Sequence, residues 1–178
     1  EIVARIARKL GAAASGKAPL RMYVAGGAAL HLMTGARVSE DIDAVFSRRI
    51  LLNDDIQVSY RDADGRARLL YLDRNYNDTL GLLHEEAYDD SLPVTIPGVD
   101  PTVIEVRALA PVDLAVTKLA RFSDQDRADI ERMAKAGLID SATLRKRADE
   151  ALGGYVGDLD AVRTSIEIAC RLIDAGSE

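Results

Sequence analysis

Tyr23-Val-Ala-Gly-Gly-Ala-Ala-Leu-His-Leu-Met-Thr-Gly-Ala-Arg-Val-Ser-Glu-Asp-Ile-Asp-Ala-Val-Phe46 is the segment from which the remainder of the chain is best read. It opens with apolar residues suited to a buried strand and breaks at Gly26-Gly27. It then continues as a short apolar-periodic helix, turns at Gly35 and re-emerges as Asp41-Ile42-Asp43-Ala44-Val45-Phe46. A strand alternates its faces with period two, so Asp41 and Asp43 project from one face while Ile42 and Ala44 point to the other. Two like charges side by side repel, and a divalent cation turns that repulsion into attraction; Mg²⁺ is held through one or two carboxylates together with substrate phosphates. Gly26-Gly27 complements the pair, because residues without Cβ let backbone N–H groups approach a phosphate where a turn enters a helix. The residues alone therefore point to a metal-dependent nucleotide site.

Outward from that segment, Ile2, Val3, Ile6 and Leu10 mark one face of an opening helix that ends in the glycine- and alanine-rich residues 11–16. Downstream, Ile56, Val58 and Tyr60 alternate, Asp64-Gly65 is a hairpin-turn signal, and Arg66 to Leu72 return. That hairpin is expected to extend the sheet carrying Asp41 and Asp43. Val94 to Ile96 and Val103 to Val106 read as two more short strands around Pro97-Gly98. Beyond Ala108 the pattern becomes helical. Pro111 starts one helix, Ser123 or Asp124 caps the next, Gly137 ends it, Ser141 opens a third and Asp158 a fourth. The expected organisation is an α/β core over residues 1–108 followed by a helical region over 109–178.

The 178 residues are enough to bury a core, and 48% hydrophobic with 29% charged residues is ordinary for a globular protein. A net charge of −6 offers no global attraction to nucleic acid or to an anionic membrane, and 4% aromatics argue against a base-stacking platform for single strands. The single cysteine, Cys170, forms no internal disulfide and falls on the apolar side of a helix, where it is expected in the core. No apolar run approaches the length of a membrane span, no signal-peptide pattern is present, and a cytoplasmic protein is expected. His31 and His84 lack the spaced partners of a zinc or nucleophilic site and read as packing or surface residues.

Gly-Gly followed by an Asp-Ile-Asp strand resembles the nucleotidyltransferase superfamily with the DNA polymerase β-like fold. Tyr23 to Leu30 with Gly35-Ala-Arg-Val-Ser-Glu-Asp-Ile-Asp43 is more closely similar to the branch containing AbiEii-type toxins and their nucleotidyltransferase-like relatives. The later stretch Asp113-Leu-Ala-Val-Thr-Lys-Leu-Ala-Arg-Phe-Ser-Asp-Gln-Asp-Arg-Ala-Asp-Ile130 strengthens the likeness, since that branch pairs a Lys-x-x-Arg helix with an Asp-x-x-Asp-Ile helix. The resemblance implies an α+β fold: a mixed-sheet core followed by a C-terminal helical bundle.

It further implies transfer of a nucleoside monophosphate from an NTP, with Mg²⁺ or Mn²⁺ on Asp41 and Asp43. Gly26 and Gly27 would face the triphosphate, and Ser39 could add a hydroxyl donor. Lys118 would lie at the nucleotide, and Arg121 would act with it or pair with Asp126; Asp126 and Asp129 would support the nucleotide or the metal, or merely complement a helix dipole. A third carboxylate acts as general base in active members, and the alternating Val103 to Val106 offers Glu105. By the same likeness the acceptor is RNA, such as a tRNA 3′ end, with growth arrest as the consequence and an antitoxin as partner. Transfer to an aminoglycoside-like small molecule and a degenerate nucleotide-binding module are the alternatives.

Overall fold

A computed structural model describes residues 1–10, 18–35, 40–50, 56–62, 64–73, 76 and 81–176. The expected end of the first helix over 11–16, the start of the hairpin at Asp54, and Ser39 lie outside the described residues. The chain divides into two compact units, Glu1–Tyr76 with Ser91–Ala108, and Asn77–Asp90 with Leu109–Glu178.

The first unit is built on a mixed six-stranded sheet. Its elements are α1 (Ile2–Leu10), β1 (Leu20–Val24), α2 (Gly26–Thr34), β2 (Asp41–Phe46), β3 (Gln57–Arg61), β4 (Ala67–Asp73), β5 (Leu92–Val94) and β6 (Ile104–Ala108). The strand order is β3-β4-β2-β1-β6-β5. β1 runs antiparallel to β2 and parallel to β6, and β4 runs parallel to β2. The α+β class with a mixed sheet, and the hairpin extending the sheet from β2, are both as expected. Gly65 adopts φ 77°, and its N–H donates to the Asp62 carbonyl at 2.9 Å, closing the β3–β4 turn. Residues 96–99 form a second turn, with Pro97 and Gly98 (φ 74°) at the positions a type II turn favours. β5 spans Leu92–Val94 rather than Val94 to Ile96, since Ile96 already begins that turn. Pro93 can sit on β5 because it is an edge strand.

One face of the sheet is apolar. Leu20, Met22, Val24, Ala44, Leu72, Ile104, Val106 and Ala108 alternate onto it and are buried, as are Ile2, Val3 and Ile6 of α1 and Ala29 and Leu30 of α2. α2 packs against β2. Within α2, Gly27, Ala29 and Leu30 face inward, while Leu32 is 46% exposed.

The second unit contains α3 (Pro111–Thr117), α4 (Asp124–Lys135), α5 (Ser141–Ala151) and α6 (Leu159–Ala175). α5 packs on α3 and α6, and α6 also packs on α4. Local sequence sets each start: Pro111 at the first turn of α3, a Ser123–Asp126 capping box for α4, and Asp140 and Asp158 accepting from backbone N–H groups at α5 and α6. Cys170 is buried on α6 as expected, and burial pushes its thiol up. Among the described residues, no helix is long and apolar enough to cross a membrane.

Candidate functional site

Cross-strand partners share a face of the sheet, so the registers place the first unit's candidate residues without reference to side-chain detail. Tyr23 is opposite Val45, and β2 alternation puts Asp41 and Asp43 on that same face. On the far side of β2, Asp41 is opposite Tyr71 and Asp43 is opposite Asp73. Three carboxylates, Asp41, Asp43 and Asp73, therefore occupy adjacent positions of one face, all of them half-buried. Neighbouring strands lie about 4.8 Å apart, which makes Asp73 the nearest cross-strand acid to Asp43.

The turn from β1 into α2 closes onto the same place. Ala25 N–H donates to the Asp43 carbonyl at 2.9 Å. Gly26 has φ 58°, and a Cβ there would lie 1.9 Å from Oδ2 of Asp43. The glycine is required twice, by the left-handed backbone and by the carboxylate resting against it. Ala25, the residue before α2, offers no side-chain acceptor to the helix start. Carboxylate and helix N-terminus meet here, a location where the helix dipole favours negative charge, from an acid or from a phosphate.

Glu105, the expected third acid, lies on this face but across β1 from β2. It is opposite Arg21, accepts from Arg107 Nη1 at 2.6 Å and from Arg21 Nε at 3.1 Å, and those guanidinium groups, Arg107 foremost, hold its carboxyl below the usual range. Arg107 is itself anchored to Ser91. By position the third carboxylate beside Asp43 is Asp73. The sequence held a signal for it: Leu70 and Leu72 alternate with Leu69, Tyr71 and Asp73, so Asp73 has outward parity. Ending the hairpin at Leu72 leaves it one residue short, and the parallel β2–β4 register is not written in either strand. Among the described residues, no three His, Cys, Asp or Glu side chains are gathered to hold a metal as they stand. The common face thus rests on backbone register.

The expected residues of the second unit form a cluster of their own. Lys118 is 6% exposed; its Nζ donates to Asp129 Oδ2 at 2.8 Å and lies 3.7 Å from Asp126 Oδ1. Arg121 makes two 2.8 Å hydrogen bonds to Asp126, the alternative its sequence position allows. Asp129 also accepts from Gln125 and Arg132. Both acids are buried. Burial pushes the Asp126 carboxyl up, but the Arg121 guanidinium, the Ser123 hydroxyl and N–H and the Lys118 ammonium outweigh it and bring it down to about 2. The same bonds clamp the α3–α4 corner, where Phe122 adopts φ 46°, unusual for a bulky residue, with Arg127 over its ring at 4.9 Å. Of the four, Arg121 alone presents much surface, with its side chain 75% exposed.

His31 is exposed, and His84 is buried with Nδ1 accepting from the Glu86 N–H. In the acidic run after His84, Glu86 and Asp90 face Arg147, which also grips the buried Asp113.

The family of nucleotidyltransferases of unknown function, DUF6036, matches residues 4–165. The chain belongs to that family. The match runs through both acid clusters, and the mixed sheet with its Gly-Gly turn and Asp-Ile-Asp strand is compatible with a polymerase β-like nucleotidyltransferase core. No curated protein and no solved structure matches this chain.

Proposed function

We propose that the chain transfers a nucleoside monophosphate from an NTP to an acceptor hydroxyl, on the sheet face carrying Asp41, Asp43 and Asp73. The observation that carries this reading is the register that sets Asp73 opposite Asp43, with the Asp43 carboxylate resting on Gly26. All-oxygen donors suit a hard cation, so Asp41, Asp43 and Asp73 are the residues that would hold Mg²⁺ or Mn²⁺. When bound, the ion supplies positive charge to the reacting oxygens of the phosphoryl group.

This chain's own groups do the rest. The N–H groups at Gly26 and Gly27 bind phosphate oxygens of the NTP. Asp73 accepts the proton of the attacking hydroxyl; a bond forms from that oxygen to the α-phosphorus, the α–β bridging bond breaks in line, and pyrophosphate leaves. By its likeness to the AbiEii-type branch, the acceptor is RNA, with a tRNA 3′ end as the leading candidate and an antitoxin as partner.

The test is release of pyrophosphate from each of the four NTPs in the presence of total RNA, with Mg²⁺ and with chelator. Asp43→Ala is expected to lower the metal-dependent rate at least about 10²-fold while the protein stays folded. Pyrophosphate release that persists in the Asp41/Asp43 double alanine variant would sink the proposal. Calorimetry that finds NTP binding without turnover in the wild type would identify a module that binds nucleotides and has lost transfer.

A further inference from the structure

Two large apolar side chains stand exposed beside the carboxylates. Leu69 is 43% and Tyr71 42% exposed, and both share the face of Asp73 on β4, with Tyr71 directly opposite Asp41. Successive same-face positions on a strand are about 7 Å apart, so the two form a short apolar step leading away from the acids. Across β3, Gln57 is opposite Tyr71, Ser59 opposite Leu69 and Arg61 opposite Ala67, all exposed. This strip holds amide, hydroxyl and guanidinium groups and no carboxylate.

The charge of the two units differs in the same sense. The first carries 13 lysines and arginines against 11 acids, and the second 10 against 18, so the overall −6 conceals a sheet unit with a small positive balance.

We propose that Tyr71, backed by Leu69, is the platform on which the base of a nucleotide acceptor stacks, making it the residue that selects an RNA 3′ end over a sugar or a peptide. The inference rests on the transfer reading for the direction of approach. Gly26 and Gly27 place the triphosphate on the β1 side of β2, and in-line displacement puts the incoming hydroxyl opposite the departing pyrophosphate. The acceptor therefore arrives from the β4 side, over Tyr71. Sparse aromatics argue against a platform for a run of stacked bases, but a single terminal base needs one ring. The Tyr71 phenol offers a flat π-face that tolerates any base, Leu69 extends the apolar contact, and Gln57 and Ser59 supply donors and acceptors for a base edge.

The probe is a single-stranded RNA trinucleotide ending in 2-aminopurine, whose fluorescence falls when the base stacks. With wild-type protein and Mg²⁺ the fluorescence is expected to be quenched on binding. Tyr71→Ala is expected to abolish the quench and weaken binding about 10-fold, while Tyr71→Phe stays within about 2-fold of wild type. In the transfer assay, KM for the oligonucleotide rises in Tyr71→Ala and KM for NTP does not. Circular dichroism confirms that the exposed substitution leaves the fold intact. Absence of trinucleotide binding by the wild type, an undiminished quench in Tyr71→Ala, or a KM effect confined to NTP would each overturn the proposal. A Tyr71-dependent quench in a protein that releases no pyrophosphate would uphold the platform and remove the transfer reading, so the two fail separately.

Discussion

Asp41 and Asp43 on β2 and Asp126 and Asp129 on α4 are both closely spaced acid pairs, yet the two units treat them in opposite ways. On α4 each acid is buried and surrounded by cations and donors: Lys118, Arg121, Ser123, Gln125 and Arg132. On β2 the acids stay half-buried, and the register adds a third acid, Asp73, beside them. Acids placed among bases hold a fold together, because the charges cancel where they stand. Acids placed beside acids raise the local cost of charge, and this is the arrangement a cation-dependent phosphoryl site uses. The contrast is between charges cancelled inside the α3–α4 corner and like charges gathered on the sheet face.

The largest expected effect breaks the buried side of the contrast. Lys118→Met leaves two buried carboxylates without their shared ammonium and is expected to cost about 3–5 kcal/mol in denaturant unfolding. A loss below about 1 kcal/mol would mean that the cluster does not hold the corner. The open side is sharpened by a pair of acid-to-amide changes. Asp73→Asn is expected to lower the transfer rate about 10²- to 10³-fold, while Glu105→Gln, already neutralised by Arg21 and Arg107, leaves it within about 3-fold. The reverse ranking would return the third-carboxylate role to Glu105.

A pH titration of stability is expected to show the next effect. The carboxyl of Asp126 is depressed in the folded state, from 3.8 to about 2. Its contribution, on the order of 2 kcal/mol, is therefore present above about pH 4 and lost as pH falls through about 2. Asp126→Asn is expected to flatten that part of the curve, and an unchanged acid limb would contradict the assignment. Gly26→Ala is expected to be the smallest change in stability, roughly 1–2 kcal/mol from the left-handed backbone, read as a lower melting temperature. The new Cβ also pushes the Asp43 carboxylate aside, so transfer falls with it. A variant with wild-type melting temperature and rate would show that Gly26 and Asp43 do not meet.

Much of the local structure was legible along the chain. The Gly-Gly turn, the Asp64-Gly65 hairpin, Pro111 at a helix start and the Ser123, Ser141 and Asp158 boundaries all rest on interactions within a few residues. The face of α2 was less legible, because Ala28, Leu30, Leu32 and Met33 allow more than one inward stripe and the choice depends on what β2 presents. Which acid lies beside the pair was hard to read for a related reason. Glu105 and Asp73 both have outward parity, and their distances from Asp43 depend on whether β1 or β4 intervenes, which is a property of strand order.

The sequence by itself determined that a glycine turn precedes an Asp-x-Asp strand with both acids on one face, because alternation along a strand is a local rule. It also carried the acids and bases of the α3–α4 corner at helical spacing. Only the tertiary structure decided which acid joins the pair, since strand order and register arise from long-range pairing that no single segment encodes. It likewise decided which charges were cancelled in the interior: Lys118 and Asp129 are eleven residues apart and meet only when the corner between α3 and α4 folds.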